Sequence, residues 1–171
     1  MNDAFEKGLN YALYLLSLQM RTTGDLRAKL KNKDMDDESV ERIINYLLEH
    51  KYLDDVNYAL IYIRTRREKF GDYRMDRDLS QKGISREDIR TARELLEDEE
   101  GEQEPSNFAR SVIDKKIATL NIDWDRLKSD YTYKNKMYQK FARFLAGRGF
   151  SGDVIKKVVR ERLADKFIDE F

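Results

Sequence analysis

Few residues in this chain are of types that do chemistry, and their spacing decides how each is read. His50 is the only histidine, and it falls at the end of a helical pattern, where positive charge meets the negative end of the helix dipole. Capping therefore outweighs catalysis there. Asp54 and Asp55 could be drawn as an acid and base pair, yet they stand where a new helix begins, and carboxylates at that place cap orphan amides. Asp34, Asp36 and Glu38 alternate like the opening of a calcium loop, but Ser39 stands where the turn glycine belongs and Asn45 where the bidentate glutamate belongs. Gly147, Arg148, Gly149 invites a phosphate-loop reading, but it ends a helix, whereas phosphates favour helix N-termini. No Walker lysine loop, zinc-type histidine pair or nucleophile elbow is present, and the absence of cysteine removes thiolate ligands, disulfides and cysteine nucleophiles together. No catalytic residue, cofactor or metal site is expected, and the chain does not read as an enzyme.

Binding chemistry is better represented. After Asp55, Val56, Leu60, Ile63 and Phe70 share one side of a helical pattern, while Tyr58, Tyr62, Arg66 and Lys69 fall in a neighbouring sector of roughly 80° at about 100° per residue. Arg64, Arg67, Arg74 and Arg77 add charge around this stripe. An aromatic and basic stripe beside a core stripe is a contact ridge, or else ordinary amphipathic packing with snorkelling arginines. A second basic concentration gathers Lys115, Lys116, Lys134, Lys136, Lys140, Arg143, Arg148, Lys156 and Lys157. Such a patch attracts phosphates or an acidic protein surface, unless it is simply a solvated face.

The elements that must position these residues announce themselves by a recurring punctuation. Leu30 to Asp36, Leu79 to Ser85 and Leu145 to Ser151 each read leucine, three residues, a turn residue, a bulky apolar residue and a cap. The turn residue is Asp34, Gly83 or Gly149; the apolar residue is Met35, Ile84 or Phe150; the cap is Asp36, Ser85 or Ser151. A left-handed residue at C′ stops a helix, and the apolar C″ residue folds back on the leucine. The same apolar residue precedes the N-cap of the next helix, where it can staple to Val40, Ile89 or Ile155. Upstream, Ala12, Leu15 and Leu16 match Ala59, Tyr62 and Ile63, then Ala109, Val112 and Ile113. The unit is therefore near fifty residues and three helices, copied three times.

This predicts an all-α fold of three tandem three-helix repeats, about nine helices, forming an elongated curved array because units so small must stack to bury a core. Repeat 1 spans 1–53, repeat 2 spans 54–98, an acidic linker occupies 99–105, and repeat 3 spans 106–171 with an inserted first connection, Asn121 to Lys136. Helix one is expected from Asp3 to Met20, Thr22 with Asp25 opens helix two, and Gly71 breaks a long helix that starts near Val56. Trp124, Tyr131 and Tyr133 predict that the insertion packs rather than floats. The 33 basic and 33 acidic residues balance, but 106–171 carries 15 basic against 9 acidic side chains. The run from Glu97 to Pro105 reads as a solvated linker, a frayed helix end, or a pseudo-ligand for the basic unit. No apolar stretch approaches the twenty residues that cross a bilayer, so a cytoplasmic protein is expected.

Tyr52, Leu53, Asp54, Asp55, followed by Ala59, Tyr62, Arg66, Gly71, Arg74, Leu79, Lys82, Gly83 and Ile84, resembles the central signature of the bacterial RecX family of recombination regulators. Phe144, Leu145, Arg148, Gly149, Phe150 and Ile155 resemble its C-terminal signature. The resemblance runs over roughly residues 8 to 165, with Lys51 where many relatives have glycine, and with the longer insertion. It implies a non-enzymatic partner of the RecA recombinase that lies in the groove of the RecA filament on single-stranded DNA. There it would oppose filament growth or stability, and so ATPase, strand-exchange and coprotease activity. On that resemblance Tyr58, Tyr62, Arg66, Lys69, Arg74 and Arg77 are assigned to the filament-facing ridge. Lys115, Lys116, Lys140, Arg143, Arg148, Lys156 and Lys157 are assigned to acidic protein surface or DNA phosphate, and a monomer is expected. A nucleic-acid-binding helical module and a generic protein-binding scaffold are the competing readings.

Overall fold

The computed structural model describes residues 3–164, and these contain ten α-helices and no strand. In chain order they are α1 (Asp3–Leu18), α2 (Thr23–Lys31), α3 (Asp37–Glu49), α4 (Asp55–Arg66), α5 (Asp72–Gln81), α6 (Arg86–Glu100), α7 (Pro105–Ile117), α8 (Trp124–Ser129), α9 (Tyr131–Gly147) and α10 (Gly152–Ala164). The three-helix repeats are α1–α3, α4–α6 and α7, α9, α10. The tenth helix, beyond the nine expected, is α8 inside the insertion. Asp123 caps it by accepting from the Arg126 amide at 2.9 Å, and the burial of Ile122 and Leu127 holds it down. Trp124 and Tyr133 pack on the core beneath, whereas Tyr131 is 82% exposed.

Most helix starts are written in side chains. Thr22 Oγ1 accepts from the Asp25 amide (3.1 Å), Asp36 from Ser39 (2.8 Å), Asp54 from Asn57 (2.8 Å), Ser85 from Asp88 (3.0 Å) and Asp130 from Tyr133 (3.0 Å). These bonds satisfy amides that a helix leaves without internal partners. The accepted bonds hold the Asp36 and Asp130 carboxyls below the ordinary aspartate range. Helix one ends at Leu18, two residues before Met20.

The corners have the geometry the pattern requires. Gly83 has φ +83° and Gly149 φ +85°, and in both corners the apolar residue's amide returns to the leucine carbonyl: Ile84 to Leu79 at 3.2 Å, Phe150 to Leu145 at 3.3 Å. The amides of Gly83 and Gly149 close on Ser80 and Ala146, completing Schellman motifs. Asp34 takes φ +57° in the first corner. A fourth corner lies at Lys51, with φ +58° and the Tyr52 amide returning to the Leu47 carbonyl at 2.8 Å.

The chain forms two compact units. The first comprises the residues through Arg64 together with Asp76–Glu99; the second comprises Thr65–Met75 and the residues from Glu100 onward. In the first, α1, α2 and α3 close on Ala12, Leu26, Leu30, Ile43 and Leu47, all fully buried. Here the corner at Lys82–Gly83 presses against the start of α2: the Thr22 hydroxyl donates to the Lys82 carbonyl at 2.6 Å, and Asp55 accepts from the Thr23 amide at 2.8 Å. Thus Asp54 caps its own helix while Asp55 caps α2. Burial of Asp55 raises its pKa, against the opposing effect of the bonds from Thr23.

In the second unit α7, α9 and α10 surround Phe141, Leu145, Ile113 and Val158, with α8 lying on α9. The corresponding corner again holds a helix start: the Gly71 amide donates to the Arg148 carbonyl at 2.8 Å and the Tyr73 amide to the Gly149 carbonyl at 3.2 Å. Thr22–Gly24 and Gly71–Tyr73 are equivalent positions of the repeat, as are Lys82–Gly83 and Arg148–Gly149. One joint is therefore made twice, once in each unit.

Candidate partner-binding surfaces

The ridge predicted on the long helix is shorter than its periodicity implied. α4 stops at Arg66, where the Lys69 and Phe70 amides both turn back to the Arg66 carbonyl, and the Gly71 amide is taken by Arg148. Lys69 therefore sits in a turn beyond the helix, not on its face. In the first unit Tyr58, Tyr62 and Arg77 come together around charged side chains of α5 and the Lys82 corner. The Tyr62 hydroxyl donates to Asp78 at 3.1 Å, Arg77 lies 3.7 Å from Asp78, and the Lys82 ammonium stands 5.9 Å over the Tyr58 ring. Both tyrosines are half-buried and Arg77 is exposed.

In the second unit Arg66 and Lys69 are exposed, while Arg74 is drawn into the repeat joint. Its guanidinium lies 4.1 Å over the Phe70 ring, and Nη1 reaches the Gly147 carbonyl at 3.5 Å. Arg148 mirrors it, 4.5 Å over Phe144 with Nη1 at 3.5 Å from the Lys69 carbonyl. Two arginines from separate predicted sets are thus neighbours, each flat on a phenylalanine and each placed at a helix end where cations are favoured.

The third-repeat cations divide sharply. Lys157 pairs with Glu104, and Arg110 and Arg162 form two-bond pairs with Glu161 (2.9 and 3.2 Å) and Asp114 (2.8 and 2.9 Å), which tie α7 to α10. Arg110 and Lys157 accordingly hold the Glu161 and Glu104 carboxyls below the ordinary glutamate range. Lys115, Lys140, Arg143 and Lys156 are exposed, and Lys116 stands 5.6 Å over Phe144. Lys134, singled out with them, is also exposed.

α6 continues through Glu97 to Glu100, so the irregular link to α7 is only Gly101 to Glu104. Its acidic side chains are engaged: Glu99 with Arg64 in the first unit, and Glu100 with Arg67 in the second. Sequence reading named those arginines as extra charge around the ridge. It could not pair them, since 33 or more residues separate the partners. His50 sits at the C-cap of α3, with Nδ1 2.8 Å from the Tyr46 carbonyl and its ring stacked on Tyr46 at 4.0 Å. Among the described residues no cluster of three or more His, Asp or Glu is arranged to hold a metal, and no helix is long and apolar enough to cross a membrane.

Comparison with known proteins is decisive about kinship. Residues 9–47, 54–92 and 109–159 match, in order, the first, second and third three-helix domains of RecX. The chain belongs to the RecX family. The regulatory protein RecX of Clostridium botulinum (strain Alaska E43 / Type E3) is 32% identical over 168 residues, covering 98% of this chain and 74% of that protein. That of Neisseria meningitidis serogroup C is 31% identical and covers 92% of both. Among solved structures, the crystal structure of RecX from Lactobacillus salivarius superposes with a TM-score of 0.73 at 30% identity, covering 94% of this chain and 97% of that one. RecX membership thus extends over all three repeats, including the third, with its inserted helix α8.

Proposed function

We propose that this chain regulates homologous recombination and the SOS response by binding in the groove of the RecA filament. It inhibits or destabilises the filament and so lowers ATPase, strand exchange and coprotease activity. It acts as a cytoplasmic monomer and carries out no chemistry of its own. The observation that carries this reading is the match of all three repeats to the RecX domains, in order and over most of the chain. Tyr58, Tyr62 and Arg77 in the first unit, and Arg66, Lys69 and Arg74 in the second, are the protein-facing residues of each unit, since aromatic rings and arginines carry most of the energy of protein interfaces.

Arg66 and Arg77 are the residues to test, being exposed, whereas reversing Arg74 would also disturb the joint at Phe70 and Gly147. Arg66→Glu with Arg77→Glu should raise the concentration needed to inhibit RecA filament ATPase by about tenfold, or ~1.4 kcal/mol, with the helical circular dichroism unchanged. Inhibition equal to that of the unaltered chain would remove the ridge. If the unaltered chain leaves RecA filaments unaffected, the proposed function itself fails.

A further inference from the structure

α9 is the one helix among those described without a carboxylate. From Tyr131 to Gly152 there is no Asp or Glu, in a chain that carries 33 of them, while Lys134, Lys136, Lys140, Arg143 and Arg148 fall in the same stretch. Lys136, Lys140 and Arg143 follow the i, i+4, i+7 spacing of a single helix face. They occupy about 10 Å of axis at 1.5 Å per residue. All three are exposed, and none is engaged by a carboxylate among the described residues. One turn beyond Lys140, the Phe144 ring holds two more cations, Lys116 at 5.6 Å and Arg148 at 4.5 Å. Elsewhere in this unit Arg110, Arg126, Lys157 and Arg162 are each paired to an acid, and the exposed Lys115 and Lys156 lie on helices that carry acids of their own.

We propose that the exposed face of α9 binds the phosphodiester backbone of single-stranded DNA. A protein partner fits this face poorly. Protein interfaces are depleted in lysine and centre on buried aromatic or aliphatic anchors, and the only large exposed hydrophobic residue of α9 is Tyr131, at its first turn. A row of lysines without an anchor gains instead by releasing counterions from phosphates. Duplex DNA fits poorly too. The row offers three cations in a single line, which a rigid duplex with phosphates fixed on its own helix follows less readily than a flexible strand does. A flexible single strand can lay successive phosphates along the row. This deepens the proposed role, on which it rests for its place in recombination, by giving the protein a polymer contact separate from its ridge.

The test is fluorescence anisotropy of labelled oligo(dT) with the full chain across a salt series, without recombinase. Three phosphate contacts predict a log–log salt slope of roughly −2, or about 20-fold weaker binding between about 50 and 200 mM salt. Lys136→Gln with Lys140→Gln and Arg143→Gln should abolish most of the binding and the slope. Lys136→Arg with Lys140→Arg should retain both, and so should the Arg66→Glu, Arg77→Glu ridge variant. No salt-dependent binding by the unaltered chain, or undiminished binding by the triple glutamine variant, would overturn the proposal. So would polyglutamate competing as well as oligo(dT), which would mark an acidic protein site, or equal affinity for duplex. A chain that binds oligo(dT) yet leaves RecA filaments unaffected would sink the proposed function and keep this one; the converse pair of results would do the opposite.

Discussion

Replacing Gly149 by alanine separates two reasons for a glycine at a helix corner. The first is conformational: at φ +85° an L-residue loses about 1–2 kcal/mol, offset by the 0.4–1 kcal/mol that alanine saves in the unfolded chain. Conformation alone therefore costs about 1 kcal/mol. The second is contact. A Cβ at Gly149 would lie 2.5 Å from the Arg74 Cβ and closer still to its amide nitrogen, so the start of α5 would have to retreat. Retreat breaks the bonds from Gly71 to Arg148 and from Tyr73 to Gly149, each worth about 1 kcal/mol net, with some desolvation cost if the groups stay buried. The expected total is about 3–4 kcal/mol. At Gly83 the intruding atom would meet the Gly24 Cα at 2.8 Å, and one bond, Thr22 to Lys82, is at risk, so about 2–3 kcal/mol is expected. Asp34 already carries a Cβ at φ +57° and lines an open cleft with Lys7, Tyr11 and Met35, so Asp34→Gly should change stability by less than ~1 kcal/mol. Urea denaturation followed by circular dichroism ranks the three variants. Equal losses of ~1 kcal/mol for Gly149→Ala and Gly83→Ala would refute the closely packed joint and leave only the backbone argument.

Lys51→Gly should stabilise the protein by about 0.5–1 kcal/mol, because the exposed lysine holds φ +58° at a cost of about 1–2 kcal/mol, while glycine adds unfolded-state entropy. A thermal melt should rise by about 1–4 °C, and a fall would show that the Lys51 corner is not left-handed. Asp55 and Glu161 predict opposite acid responses. Burial raises the Asp55 pKa, so the folded state holds that proton more tightly, and its contribution to stability is fully present below about 3.9 and lost as pH rises through the raised value. Relative to Asp55→Asn, the unaltered chain should weaken as pH rises through that window. The bonds from Arg110 depress the Glu161 pKa, so its contribution is present above about 4.3 and lost as pH falls through the lowered value. The advantage over Glu161→Gln should vanish on acidification, and parallel pH curves for both pairs would refute the assignments.

What was legible in the sequence is what local rules determine. The corners at Gly83 and Gly149 and the caps at Thr22, Asp36, Asp54 and Ser85 depend on residues within about ten positions of one another, and the count of three repeats follows from the recurrence of that local pattern. α8 escaped because a six-residue helix has too few turns to show a period. α4 was read past its end because Phe70 and Lys69 continue its apolar and basic periods. The chain leaves the helix there on account of Gly71, whose amide is claimed by a carbonyl 77 residues away. The same non-local joint brings Arg74 and Arg148 together from their separate predicted sets and sets each on a phenylalanine, a contact that spacing along either helix could not show.

Charge shows the limit of sequence reading most clearly. A surplus of six cations over 106–171 marks a basic repeat but does not say which cations remain available to a partner. That depends on which of them acids neutralise across the fold. Arg110, Lys157 and Arg162 are spent on Glu161, Glu104 and Asp114 over separations of about fifty residues, whereas α9 has no acid within itself, and Lys136, Lys140 and Arg143 pair with none among the described residues. α9 therefore carries its cations without acids of its own, whereas α7 and α10 hold exposed Lys115 and Lys156 beside paired residues. Exposed pairs of this kind contribute little to stability, about 0–1 kcal/mol each. Their larger effect is to neutralise cations of α7 and α10, so that among the described residues the row of Lys136, Lys140 and Arg143 is the longest run of exposed cations on a single helix face that carries no acid, and the face a polyanion would meet.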